Sequence, residues 1–252
     1  MLFRSFNPLS DDFVMNEPEV INDIMKKKTF TNAELFSMLS SVFPGNKTTT
    51  IYSKIDALIQ QGFFYRDGRG HYRSDERKEF SYRLSPEGTK IQKVAQRYGV
   101  PFIIYEADLL NLWLNHQINS EIIFVEIERP YMEFLFDDLK NKKYSDVLLN
   151  PSAEEFYRYR KKDGYTILVK PLAKEAPKSG ENIPLEKLIV DLFSDRLLRS
   201  LYEEAELPEI YRQMVHDYRL RMTRLYSYAK RKKIYESFHP YWEHSLKGES
   251  NS

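Results

Sequence analysis

Two helical patterns split by a Phe-Pro-Gly stop, with a basic aromatic ribbon behind them, constrain this chain more than any other stretch. Thr31-Asn32-Ala33-Glu34 has capping-box spacing, in which a hydroxyl and a carboxylate satisfy free amides at a helix start. Leu35, Leu39 and Val42 then recur at i, i+4 and i+7, as one buried helix face requires. Phe43-Pro44-Gly45 ends that helix. A second helix from Asn46 carries Ile51, Ile55, Leu58 and Ile59 on its apolar side and closes at Gly62. Behind it come Phe63-Phe64-Tyr65-Arg66, Asp67-Gly68-Arg69-Gly70 and His71-Tyr72-Arg73, aromatic strand residues around a Gly-rich turn, which predict a hairpin. A strand over Phe80–Leu84 is expected to close that small sheet, and a short helix over Glu19–Lys28 to complete a helical triad after an irregular lead-in at 1–18. The pattern is that of a winged helix-turn-helix.

Its outward helix face carries the candidate contacts. Rotated about 180° from the aliphatic side, at roughly 100° per residue, lie Thr49, Thr50 and Ser53, flanked by Lys47 and Lys54. Short hydroxyl side chains let a helix sit deep in a major groove, and lysines at its margins meet phosphates. Arg69 at the hairpin tip and Arg73 behind it would supply the wing contact. Residues 46–97 hold eleven Lys and Arg against six acids, in a chain whose total charge is only +1. A local excess of that kind supplies non-specific affinity for a polyanion. The bland alternative is a protein-docking module whose threonines are merely solvated, because fold does not fix function.

The rest of the chain reads as a second domain. Ser85-Pro86-Glu87 starts a helix that runs to Tyr98, and the boundary is set there, giving 1–98 and 99–252. Apolar strands are expected at Phe102–Tyr105, Glu121–Glu128, Asp146–Leu149 and Tyr165–Lys170, separated by helical stretches at Ala107–His116, Tyr131–Leu139 and after Ser152. Pro184 opens a helix with Leu185, Leu188, Ile189, Leu192 and Phe193 on one face, and Glu209–Lys233 reads as one long final helix. The fold class expected is α+β or α/β: an N-terminal winged helix, then an α/β domain with a small mixed sheet and a long C-terminal helix. Without cysteine the chain has no disulfide or thiolate metal site. With no apolar run near the roughly 20 residues of a membrane span and no secretory leader, a cytoplasmic protein with no membrane partner is expected.

Catalytic equipment is sparse. No Gly-rich phosphate loop, His-Glu-x-x-His pair or Gly-x-Ser-x-Gly elbow occurs. His239-Pro-Tyr-Trp-Glu-His244 could hold a stray metal but reads better as a docked or frayed tail. A restriction-type nuclease wants an Asp and then a strand Glu-x-Lys. Glu126, Glu128 and Asp146 are its candidate ligands, but no Lys follows either Glu by two residues. Asp191 and Asp195, four apart, could pair on a metal; as the polar side of an amphipathic helix they need no such role. The run Lys230-Arg231-Lys232-Lys233 could complement a helix dipole, touch nucleic acid or meet an acidic partner. No enzyme, cofactor or metal is expected.

Leu114-Asn115-His116-Gln117, Phe124-Val125-Glu126-Ile127-Glu128, Val169-Lys170-Pro171-Leu172 with Glu175-Ala176-Pro177, and Leu185-Glu186-Lys187-Leu188-Ile189-Val190-Asp191-Leu192-Phe193 follow in an order that resembles one family. It is that of the AbiEi-like antitoxins of AbiE-type abortive-infection (type IV toxin–antitoxin) systems, and the likeness extends over about residues 25–235. The resemblance implies a winged helix that represses its own promoter. It also implies a C-terminal domain that counters a nucleotidyltransferase-like toxin without stably sequestering it. The partners expected are therefore double-stranded DNA and, functionally, that toxin. The alternatives are a degenerate nuclease, or an adaptor that docks a toxin or a second copy through the helix from Glu209.

Overall fold

The computed structural model describes residues 28–247, apart from 61–62, 69, 75–76, 119–120, 143, 145, 161–163, 175 and 177–181. The expected lead-in at 1–18 and helix residues 19–27 lie outside the described residues, as does Arg69. The fold is mixed α+β, with one small sheet in each of two compact units.

Unit 1 is formed by residues up to Glu79 together with Tyr218–Thr223. It begins with β1 (Thr29–Thr31), α1 (Asn32–Val42) and α2 (Thr48–Gln60), then β2 (Phe64–Gly68) and β3 (His71–Ser74). Both halves of the α1 capping box form: Thr31 Oγ1 accepts from the Glu34 amide at 3.2 Å and the Glu34 carboxylate accepts from the Thr31 amide at 2.8 Å. Gly70 adopts φ +75° where β2 turns into β3. The sheet order is β1-β3-β2, all antiparallel. Its third strand is thus Thr29–Thr31, and the strand expected at Phe80–Leu84 does not form. Phe30 provides the reason: it is buried against Phe64, with ring centroids 5.4 Å apart, and so ties β1 into the core of Leu35, Leu39, Ile51, Ile55 and Leu58.

Unit 2 takes Phe80–Asp217 and Arg224 onward. The division at Glu79 precedes the expected boundary at Tyr98, because α3 (Pro86–Gln96) packs Ile91, Val94 and Ala95 into this unit's own core. Its sheet contains β4 (Phe102–Glu106), β5 (Ile122–Ile127), β6 (Val147–Leu149) and β7 (Thr166–Pro171) in the order β4-β5-β7-β6. β4 pairs antiparallel with β5, while β5, β7 and β6 run parallel, so the sheet is mixed as expected. Alternation sorts the side chains. Ile104, Ile123, Val125, Ile127, Ile167 and Val169 pack with α3 and with Leu135 and Leu139 of α4 (Met132–Asn141). The alternate residues Tyr105, Phe124, Glu126, Leu168 and Lys170 occupy the opposite face, where the Tyr105 and Phe124 rings stack at 4.7 Å.

α5 (Ala153–Tyr159) starts at a second capping box, Ser152 with Glu155. α6 (Leu185–Ser194) follows Pro184, and α7 (Arg196–Arg199) is capped by Asp195. Two helical expectations need correction. Ala107–Leu112 is a 3-10 turn in place of a full helix to His116. The single helix expected over Glu209–Lys233 is divided into α8 (Leu207–Asp217) and α9 (Met222–Arg231). The Arg219 amide donates to the Lys78 carbonyl at 2.9 Å, and that bridge takes Tyr218–Arg219 out of helical geometry although the heptad-like spacing continues through them. Lys233 at φ +60° ends α9, with the Ile234 amide bonded back to the Ala229 carbonyl at 3.1 Å, a Schellman closure without glycine. The segment read as a docked or frayed tail is α10 (Tyr235–Lys247), anchored by fully buried Phe238 and Trp242.

Candidate functional site

In unit 1 the sequence-chosen contacts sit on and beside α2. Ile51, Ile55 and Leu58 are buried, whereas Lys47, Thr49 and Ser53 are exposed and Thr50 half-buried. Ser53 Oγ donates to the Thr49 carbonyl at 3.0 Å, keeping its hydroxyl against the helix. Lys54 is half-buried with its ammonium 4.0 Å above the Phe43 ring, and desolvation draws it below the usual lysine range. Arg73 is exposed on the central strand β3, in register with Thr29 and Tyr65. Six of the seven residues therefore lie on α2 with its leading turn, or on β3; the seventh, Arg69, is outside the described residues.

Unit 2 holds a second site that no single stretch of sequence announces. A cleft of about 450 Å³ opens at the carboxyl ends of the parallel strands β5, β7 and β6. Glu126 and Lys170 are register partners there, across β5 and β7. α6 lays Lys187 and Asp191 over them, one helical turn apart, and the end of α9 brings Lys232. Lys187, 1% exposed at its side chain, donates to Glu126 Oε1 at 2.8 Å and to Asp191 Oδ2. Lys232 donates to Asp191 Oδ1 at 2.7 Å, the Tyr228 hydroxyl reaches the same oxygen at 3.0 Å, and Lys170 pairs with Asp195.

The electrostatics follow from who shares whom. Burial alone would lower Lys187, but Asp191 and Glu126 beside it hold it well above the usual lysine range. Burial likewise opposes the charge on Asp191, yet Lys187 and Lys232 together hold it below the usual carboxylate range. Glu126 is the less compensated partner: burial and the nearby Asp191 charge push it up, against its bond to Lys187 and the weaker pull of Lys170. Burial and then the Asp191 charge push the Tyr228 phenol up as well.

Several sequence expectations change here. Asp191 is not on a solvated face, since α6 is buried from Leu185 through Leu192. Lys232 points inward to an ion pair, and Lys230 lies 4.7 Å from the Tyr235 ring. Glu126, Glu128 and Asp146 do not come together. Asp146 accepts from Thr166 at the opposite end of β7, about 13 Å from Lys170 at roughly 3.3 Å per residue, and Glu128 is exposed beyond β5. Among the described residues, no three His, Asp or Glu side chains gather as a metal site, and no helix is long and apolar enough to cross a membrane. Sequence reasoning missed the cluster, although a Glu inside an otherwise apolar strand and a Lys and Asp four apart in a largely apolar helix were its visible signals.

No curated protein matches this chain. Residues 50–247, running from within α2 to the last residue of α10, match the model described as "Family of unknown function (DUF6577)", and the chain belongs to that family.

Proposed function

We propose that this protein is a non-enzymatic, DNA-binding autorepressor and the antitoxin of a type IV toxin–antitoxin pair, with unit 1 acting as a winged helix-turn-helix. One observation carries the DNA-reading half: α2 and the turn leading into it hold Lys47, Thr49 and Ser53 exposed while Ile51, Ile55 and Leu58 anchor the helix's back in the core. A helix held this way, beside an antiparallel ribbon, can enter a major groove while the ribbon meets the backbone. Thr49, Thr50 and Ser53 would face base edges, Lys47 and Lys54 phosphates, and Arg69 and Arg73 the wing contact. The antitoxin half rests on the resemblance of the Leu185–Phe193 helix and its companion segments, and it names a nucleotidyltransferase-like toxin as functional partner.

Fluorescence-anisotropy titrations of the full chain on its own promoter and on scrambled duplex test the first half. Arg73→Ala should weaken both duplexes alike and reduce the salt slope by about one, whereas Thr49→Ala should change the preference between them. Equal affinity for both duplexes with no salt dependence would overturn it. Co-expression with a nucleotidyltransferase-like toxin from the adjacent gene tests the second half: growth should be rescued, and continued arrest would refute it.

A further inference from the structure

The unit 2 cleft plays no part in the DNA-reading proposal, and its hydrogen bonds do not balance. An ammonium has three N–H donors, whereas an ionised carboxylate only accepts. Both oxygens of Asp191 are occupied, Oδ1 by Lys232 and Tyr228 and Oδ2 by Lys187. Both oxygens of Asp195 are occupied too: Lys170 takes Oδ2, and the Leu197 and Leu198 amides reach Oδ1 at 3.0 and 3.2 Å. Lys187 makes two side-chain hydrogen bonds, while Lys170 and Lys232 make one each. Arg196, exposed at the rim, adds a guanidinium with no side-chain partner among the described residues. Against this surplus of donors, Glu126 Oε2 is the carboxylate oxygen left over.

Charge points the same way, because Lys170, Lys187, Lys232 and Arg196 face Glu126, Asp191 and Asp195. So does position: open sheets take ligands just outside the carboxyl ends of their parallel strands. The volume falls within the range of small-molecule sites, and Pro151, Pro171, Ala173 and Leu197 supply apolar wall. The three cations with spare donors come from three different elements: Lys170 from β7, Lys232 from just beyond α9 and Arg196 from α7. Donors converging from three directions suit a group with three terminal oxygens and up to two negative charges better than a flat carboxylate.

We propose that this cleft binds a phosphomonoester, gripped by Lys170, Lys232 and Arg196 around the opening above the Glu126–Lys187–Asp191 triad. The triad is the rigid floor that positions Lys232 and α6; it is not itself consumed by the ligand. Two sources present this chemistry, a free nucleotide and the 5′-phosphate end of a nucleic acid strand.

Isothermal titration of the full chain at low salt tests it with five probes: AMP, adenosine, inorganic phosphate, and a single-stranded tetranucleotide with and without a 5′-phosphate. AMP should bind with Kd below about 1 mM and adenosine should not. Arg196→Ala should weaken AMP at least about tenfold without moving the thermal melt, as expected for loss of one charge-assisted contact at an exposed residue. Lys170→Gln should do the same by titration if it folds. Preference for the 5′-phosphorylated strand over AMP would identify a strand end as the source, and the reverse a free nucleotide. Binding of none of the phosphate-bearing probes at 5 mM, or an AMP affinity untouched by Arg196→Ala, would overturn the proposal. AMP contains no duplex, so neither result depends on how unit 1 reads DNA.

Discussion

Replacing Lys187 by methionine removes the ammonium shared by two buried carboxylates while keeping the volume of its stem. Asp191 would still have Lys232 and the Tyr228 hydroxyl. Glu126 would keep one hydrogen-bond donor, the Tyr105 hydroxyl at 3.4 Å, and the Lys170 ammonium acting on it through space alone. A buried carboxylate so weakly compensated escapes its desolvation cost by taking a proton, and this sets the size of the effect. Protonating a glutamate whose unfolded pKa is about 4.3 costs about 3.7 kcal/mol at pH 7 and about 1 kcal/mol at pH 5. Direct measurements of broken buried pairs, about 3–5 kcal/mol, fall in the same range. The Glu126 pKa in the folded variant is raised above its unfolded value. Its contribution is therefore fully present below about pH 4.3 and lost as pH rises, at about 1.4 kcal/mol per pH unit. Urea unfolding followed by tryptophan fluorescence isolates the response, because both tryptophans, Trp113 and Trp242, are buried in unit 2. Lys187→Met should cost about 3–4 kcal/mol at pH 7 and much less at pH 5, and adding Glu126→Gln should restore most of it. A loss below about 1 kcal/mol at pH 7, or one that does not change between pH 5 and 7, would refute the reasoning.

Three further outcomes are expected. Glu126 is already pushed up in the unaltered chain, so its stability relative to a Glu126→Gln variant should fall as pH rises above about 4.3, in a urea series from pH 4 to 7. Gly88→Ala would place a Cβ 2.5 Å from Glu106 Oε1, a carboxylate that also accepts from Tyr82 and Ser85; it should destabilise unit 2 by about 1–3 kcal/mol in the same fluorescence assay. Thr31→Ala removes both side-chain bonds of Thr31 to Glu34 and should cost about 1 kcal/mol, seen as faster amide exchange across the first turn of α1.

Where periodicity and local chemistry suffice, the fold was legible. The Thr31 and Ser152 caps and the aliphatic stripe of α2 are written in adjacent residues, and so are the four strands of unit 2. Strand β1 was not legible, because three residues held by one phenylalanine leave no alternation to read. The break between α8 and α9 was not legible either, since it is imposed by the distant Lys78 carbonyl. The cleft was hidden for the same reason. Lys187 meets Glu126 across 61 positions of sequence, and Lys232 meets Asp191 across 41. A charge inside an apolar helix is costly alone, and only the fold reveals the partners that offset it.

Unit 1 is discontinuous: Tyr218–Thr223, far along the chain, belongs to it. In it the Arg219 guanidinium lies 3.9 Å above the Phe63 ring, Arg221 pairs with Glu79 at 2.9 Å, and Tyr218 bridges Lys78. An isolated N-terminal fragment cut at residue 79 would thus lack a strip of its own structure and expose the Phe63 ring that the strip covers. Supplying residues 218–223 as a tethered peptide should restore what truncation takes away.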